Sequence, residues 1–281
     1  MNIGNKVELP PGYLDFYGKL SEWQKGQQKA LKAEYVPPII RVRQVLHDTQ
    51  KPILISTEFR ADWSPYRQLF KDLLDFLQIA RPEIKRSLEI IADRVTDSEI
   101  DSMAIKLMQA EREFFGSLAE QLGIADELIV FAADYALRPL LRLWAGPFNT
   151  TIAEMGQNAW VLANVCPFCG SQPHMSRINA SDGRRFMFCD RCLSQWEARN
   201  LYCVHCGNDD PHSIQYLAVD NEPVFQIYTC GKCRSYLKSY DERMTGIKVD
   251  LGQVDIETIY LDLLAQEQGY ANNIVAERTW T

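Results

Sequence analysis

Over most of the first 160 residues, apolar side chains recur every three or four positions, the spacing of a helix with one buried face. The pattern is densest over Tyr66–Ile79, where Leu69, Phe70, Leu73, Leu74, Phe76 and Leu77 form a broad apolar stripe. Upstream, it predicts a Gln- and Lys-rich exposed helix over Tyr13–Tyr35, ended by Pro37-Pro38, and a short helix followed by loop within Ile39–Pro65. The segment ahead of Gly12 reads as an extended arm. Downstream, Pro82 separates off a helix over Ile84–Val95, and Asp97 or Ser98 caps a longer one that runs to Leu122 and stops at Gly123. Ile124–Trp144 is almost continuously apolar over Leu128–Leu143, yet Asp134, Arg138, Pro139 and Arg142 interrupt it, so it reads as a buried bundle helix and not a membrane span. Ile152–Val165 is predicted as one more helix.

Beyond residue 163 the period changes. His174–Ile178 with Arg185–Phe188, and Ser213–Val219 with Val224–Thr229, read as two hairpins turning at Ser181-Asp182-Gly183 and Asp220-Asn221-Glu222. Helical spacing returns over Val254–Gln268 (Ile256, Ile259, Tyr260, Leu263, Leu264), with Gly269 as the stop. The expected fold class is α+β: an all-α bundle of five or six helices over residues 1–163, tandem small modules over 164–200 and 201–245, and a C-terminal helix and tail over 246–281 that pack on the rest.

Composition narrows the function classes. At 46% hydrophobic the chain is globular, and Met1–Pro10 carries no apolar run, which predicts a cytoplasmic protein without a secretory signal or membrane span. The net charge is −7, but from Ala163 to Thr245 nine cations face nine carboxylates. A nucleic-acid reader concentrates positive charge on its binding domain, so no nucleic-acid partner is expected. No Gly-rich phosphate loop or Ser/His/Asp grouping is present, and no catalytic residue is assigned. Arg138 and Arg142, four apart on an apolar helix, are expected to find internal partners.

The chemistry lies in the cysteines. All eight fall in four Cys-x-x-Cys pairs: Cys166/Cys169, Cys189/Cys192, Cys203/Cys206 and Cys230/Cys233. In a reducing compartment such pairs point to metal ligation or redox chemistry rather than structural disulfides. One pair supplies half a tetrahedron, so four pairs imply two metal sites. Cys203 stands 37 residues after Cys166, and each half opens with Cys-x-x-Cys-Gly and closes with a pair lacking that glycine. This repeat assigns Cys166, Cys169, Cys189 and Cys192 to one site and Cys203, Cys206, Cys230 and Cys233 to the other. The alternative linkage of Cys189/Cys192 to Cys203/Cys206 leaves only ten residues between pairs and cuts the repeat.

Gly170 and Gly207 suit a knuckle position that needs positive φ. Phe168, Phe186, Phe188, Trp196, Tyr228 and Tyr236 are expected to cover the sites, while His174, His205 and His212 fall outside a complete ligand set. Tetrathiolate coordination leaves no open position for substrate and suits zinc or iron equally, so two metal ions per chain, Zn or Fe, are expected. An iron centre would permit electron transfer. A zinc-ribbon nucleic-acid binder is the reading that the charge opposes.

Cys166-Pro-Phe-Cys-Gly-Ser171 with Pro173, Arg185-Phe-Met-Phe-Cys-Asp-Arg-Cys192 with Trp196, Cys203-Val-His-Cys206, and Cys230-Gly-Lys-Cys233 leading into Tyr236-Leu-Lys238 together resemble the FdhE family of formate dehydrogenase accessory proteins. Glu267-Gln-Gly-Tyr-Ala271 matches later in the same order, whereas Glu197 and Asn200 stand where the family usually has histidine and arginine. The resemblance implies a helical domain with two rubredoxin-like modules, and a non-enzymatic cytoplasmic assembly factor. Its implied partner is the catalytic subunit of formate dehydrogenase, or a related molybdenum or tungsten oxidoreductase. By matching position it implies Arg185, Trp196, Tyr236 and Lys238 as partner contacts.

Overall fold

A computed structural model describes residues 8–160, 162, 164–219 and 222–272. These divide into two compact units. One takes residues 8–18, Ile39–Glu58 and 145–272; the other takes Lys19–Pro38 and Phe59–Trp144.

The second of these is helical. It holds most of α1 (Tyr13–Lys32), then α3 (Tyr66–Ala80), α4 (Lys85–Arg94), α5 (Asp97–Met108), α6 (Arg112–Leu122) and α7 (Asp126–Ala145). The α3 stripe is the centre of its core, with Leu69, Phe70, Leu73, Leu74 and Leu77 buried. α5 starts one or two residues earlier than expected: Thr96 is the N-cap in place of Asp97 or Ser98, and its reciprocal hydrogen bonds with Glu99 form a capping box. The single helix predicted from residue 97 to Leu122 is two. Ala110 takes a left-handed conformation (φ 57°), and the N–H of Glu111 reaches back to the Lys106 carbonyl, ending α5. The buried Ala104 and Phe115 lie eleven residues apart, about three helical turns, so the apolar phase carries across the break and conceals it.

Pro139 sits inside α7 and has no N–H for the Tyr135 carbonyl four residues upstream. The buried Gln24 of α1 donates its Nε2 to that carbonyl at 3.0 Å, and Arg142 Nη1 holds the Gln24 Oε1 at 2.9 Å. Arg138 pairs with Asp134 at 2.8 Å and lies over the Tyr135 ring. Both arginines therefore have internal partners.

The other unit is built on a sheet. β1 (Met175–Ile178), β2 (Arg185–Phe188) and β3 (Gln195–Ala198) form one antiparallel meander, and β4 (Ile214–Ala218), β5 (Phe225–Cys230) and β6 (Tyr236–Asp241) a second. Both hairpins stand where the alternation predicts them. The first turn has Gly183 at φ 67°, while Asp220 and Asn221 of the second lie outside the described residues. The meanders join through a parallel pairing of β1 with β6, Met175 opposite Lys238 and Ile178 opposite Asp241, giving one sheet of order β3-β2-β1-β6-β5-β4. All residues of β2 and β6 are buried.

α2 (Val42–Thr49) and α8 (Asn149–Ala153) belong to this unit. Of the helix predicted over Ile152–Val165, only Ile152 and Ala153 are helical among the described residues: α8 is one turn, Gly156 turns the chain at φ 78°, and Trp160 Nε1 bonds the Val165 carbonyl. After the sheet come α9 (Leu251–Glu257) and α10 (Ile259–Glu267), where a single helix was expected. The Asp255 carbonyl, which a continuous helix would offer to the N–H of residue 259, accepts instead from Lys238 Nζ at 2.7 Å. Gly269 closes α10 at φ 75°. No helix among the described residues is long and apolar enough to cross a membrane.

Candidate metal centres

Four knuckles place the cysteines, and their backbone is the same each time. The N–H of the first cysteine bonds the carbonyl five residues on (Cys166 to Ser171, Cys189 to Ser194, Cys203 to Asn208, Cys230 to Ser235) at 2.7–3.0 Å. The residue after the second cysteine donates back to the first cysteine's carbonyl at 2.9 Å. That residue has positive φ in all four: Gly170 (80°), Leu193 (64°), Gly207 (75°) and Arg234 (58°). Glycine meets this demand without strain. A leucine or arginine held there costs on the order of 1 kcal/mol or more, and the rest of the knuckle must hold it.

The residue two after each second cysteine is the functional position that sequence reasoning missed. Its carbonyl closes the knuckle and its side chain reaches a sulfur: Ser171 lies 3.3 Å from Cys169, Ser194 3.2 Å from Cys192, Ser235 2.8 Å from Cys233, and Asn208 Nδ2 3.7 Å from the Cys230 sulfur. The signal was present as Cys-x-x-Cys-x-Ser in three knuckles and Cys-x-x-Cys-x-Asn in the fourth.

The sheet brings the knuckles together as the repeat predicts. Cys166, Cys169, Cys189 and Cys192 form one cluster and Cys203, Cys206, Cys230 and Cys233 the other, with the sulfurs of each within 4.8 Å of one another. Separations are 3.4 Å (Cys166 to Cys192) and 3.5 Å (Cys169 to Cys189) in the first, and 3.6 Å (Cys203 to Cys233) and 3.8 Å (Cys206 to Cys230) in the second. A disulfide needs roughly 2.05 Å. A tetrahedron of sulfurs about 2.3 Å from a central zinc has edges of about 3.8 Å, so both clusters fit a bound ion.

Electrostatics point the same way. Burial pushes Cys166 and Cys189 well above the usual thiol value. At Cys169 burial is outweighed by hydrogen bonds from Cys166, Cys189, Cys192 and Ser171, and the thiol is held well below that value. In the second cluster burial raises Cys203; Cys206 is exposed as a residue, but lost hydration of its sulfur among the other three, with Cys233 and Cys203 adding to it, pushes that thiol up to about 12, while backbone N–H groups of Cys233 and Lys232 overcome burial at Cys230 and lower it to about 7. Cys169 and Cys230 thus favour the anion, and a cation is what would let Cys166, Cys189, Cys203 and Cys206 ionise with them.

The surroundings of the two clusters differ. All four cysteines of the first are buried, and the turn Ile53–Ile55 is tied to its knuckle by Ile53 N–H to Pro167 O and Leu54 N–H to Phe168 O, both 2.9 Å. In the second, Cys206 is exposed and Cys233 half-buried. The matched Gln268-Gly-Tyr-Ala271 stretch covers the last knuckle: Ala271 N–H bonds the Arg234 carbonyl at 2.9 Å, and the Arg234 guanidinium lies over the Tyr270 ring.

Comparison with known proteins places this arrangement. The model of the FdhE central domain matches residues 165–200, and that of the FdhE C-terminal domain matches residues 201–276. A curated relative, the protein FdhE homolog of Aquifex aeolicus, is 32% identical over 78% of this chain and 71% of its own length. The chain belongs to the FdhE family. The homolog of Actinobacillus pleuropneumoniae is 26% identical over 93% of this chain and 80% of its own. The crystal structure of the FdhE protein from Pseudomonas aeruginosa shares the fold, with a TM-score of 0.57 at 19% identity over 97% of this chain and 99% of that one.

Phe168, Phe186, Phe188, Trp196, Tyr228 and Tyr236, expected over the sites, are all buried; Tyr228 packs with Cys203 and Cys230, while Phe188 packs with Met175, Leu251 and Val254. No histidine enters a cluster. His174 lies 3.7 Å from Asp190, His205 Nε2 is 3.1 Å from the Tyr236 carbonyl, and His212 is exposed. The four residues implied as partner contacts are interior. Arg185 and Trp196 are 1% exposed, Lys238 2% and Tyr236 3%. Lys238 Nζ bridges Asp255 and Asp262 at 2.7 Å each, and Tyr236 Oη donates to Asp262 at 2.9 Å, tying α9 and α10 to β6. Side chains so placed present almost no area to a docking protein.

Proposed function

We propose that this protein is a non-enzymatic, cytoplasmic accessory factor in the assembly of formate dehydrogenase or a related molybdenum or tungsten oxidoreductase. It would hold one zinc or iron ion at each four-cysteine cluster and bind the catalytic subunit of its client. The family supplies the client class. The observation that carries the reading is the sulfur geometry: four sulfurs gather within 4.8 Å of one another at each cluster, and as thiolates they would complete a tetrahedron around an ion and leave no coordination position for substrate. Work then falls to the protein surface that the metals hold in shape. Arg185, Trp196, Tyr236 and Lys238 support that surface from beneath, and the face bearing Cys206 is where we place the client. The test joins deletion with capture: a strain lacking the protein should lose formate dehydrogenase activity at unchanged transcript level, and the full chain should retain the catalytic subunit. Intact activity in the deletion strain refutes the role.

Electron transfer through an iron–thiolate centre is the second reading, favoured by the exposure of Cys206, which gives a partner direct access to one cluster. A red protein that bleaches reversibly on reduction supports it; a colourless protein with two zinc ions per chain removes it.

A further inference from the structure

Two cations are buried among the described residues, Arg185 and Lys238. Lys238 has two carboxylates. Arg185 has only neutral partners for its hydrogen bonds: Ser176 Oγ, the Asn200 carbonyl and the Tyr202 carbonyl, each 3.3 Å away, with the Tyr228 ring 3.8 Å from its Cζ. A guanidinium stays charged inside a protein, and a buried charge needs an opposite one. Arg185 stands on β2, four residues before a cysteine of the first cluster, yet it lines a cleft together with Cys203 and Cys230 of the second. Four thiolates around a divalent ion carry a net charge of −2, around a ferric ion −1. Either would supply the missing counter-charge.

We propose that Arg185 is the electrostatic partner of the second metal centre, so that a strand of the first module supplies the positive charge that stabilises the thiolate cluster of the second. This rests on the reading that the second cluster holds a metal. Arg185 acts here as a positioning and charge-balancing residue and forms no bond to the ion. The Tyr228 ring and the two carbonyls fix the guanidinium where it is.

The experiment is zinc release from the full-length, zinc-loaded chain to a chromogenic chelator in excess. The phase that disappears in Cys206→Ser identifies the second centre. In Arg185→Met that phase should speed up by about tenfold or more, the usual scale for loss of a group that supports metal ligands, while the first centre keeps its rate. Arg185→Lys, which keeps the charge, should recover most of the difference. Unchanged release in Arg185→Met overturns the proposal. Equal acceleration of both phases also overturns it, because it makes Arg185 a residue of the fold and not of the centre. A parent chain that binds a single zinc sinks the metal reading of the second cluster itself, a failure visible in the stoichiometry before any variant is made.

Discussion

Pro139 and Gln24 offer the most direct test of how the helical unit is built. Replacing Gln24 with leucine removes the Nε2 donor that reaches the Tyr135 carbonyl at 3.0 Å but keeps most of the side-chain volume, so little cavity forms. Gln24 is only 2% exposed, and water has little access to the abandoned carbonyl. An orphaned buried acceptor costs about 1–3 kcal/mol, and this is the loss expected for Gln24→Leu. In a Pro139→Ala background, residue 139 regains an N–H that can bond Tyr135 as the helix would, and the same change should cost about 1 kcal/mol or less. Arg142 loses the Gln24 Oε1 in both backgrounds, so that effect cancels in the double-mutant cycle. Urea unfolding of the zinc-loaded chain, followed by far-UV circular dichroism, gives the four free energies. A loss that is the same in both backgrounds would refute the reasoning, as would Gln24→Leu as stable as the parent.

Lys238→Met should destabilise by about 3–5 kcal/mol, because it leaves Asp255 and Asp262 uncompensated in the interior, and hydrogen exchange over α9 and α10 should rise. Burial acts against the Lys238 charge, but Asp255 and Asp262 outweigh it and hold the ammonium above its ordinary value, so its contribution is complete below about pH 10.4 and is lost as pH climbs through the folded value. Lys238→Met should remove that alkaline loss, and a parent-like profile would count against the clamp. At the metal centres, the exposure of Cys206 predicts that alkylation of the loaded protein begins there, and that the first zinc equivalent withdrawn by limiting chelator comes from the second cluster. Equal reactivity of Cys166 and Cys206 would contradict this.

Local patterns in the chain were readable wherever local physics decides. The α3 stripe, the Gly123 stop, both hairpins and the assignment of cysteines to clusters all follow from spacing or repeat. The errors have tertiary causes. α5 and α6 separate at an alanine in a conformation that glycine or asparagine usually signals, and α9 parts from α10 because Lys238, on a strand outside the helical pattern, takes the Asp255 carbonyl. Nothing local announces that β1 pairs with β6 some sixty residues later, so two tandem modules were legible but their common sheet was not. Arg185, Trp196, Tyr236 and Lys238 stood out by position in a resemblance, and position alone does not say whether a side chain faces inward.

Leu193 and Arg234 show what a bound metal would have to do. The repeat gives every knuckle the same hydrogen bonds, but only the first of each pair has glycine at the left-handed position. The second knuckles hold strained side chains there, and each is held by a different neighbour. In the first cluster, Ser194 beside Leu193 accepts from Cys189 N–H through its carbonyl and bonds Asn149 through its hydroxyl at 2.7 Å. In the second, Arg234 is held by Ala271, the Tyr270 ring and the carbonyls of Gln268 and Gly269. Strain of on the order of 1 kcal/mol is small against the roughly 10–16 kcal/mol of a structural zinc site, so a bound ion can enforce the turn without glycine. A cluster that loses its ion keeps the strain and loses what opposed it. The knuckle at Arg234, in the cluster that solvent reaches, is therefore where metal loss should first loosen the backbone, and the C-terminal stretch packed on it should loosen with it.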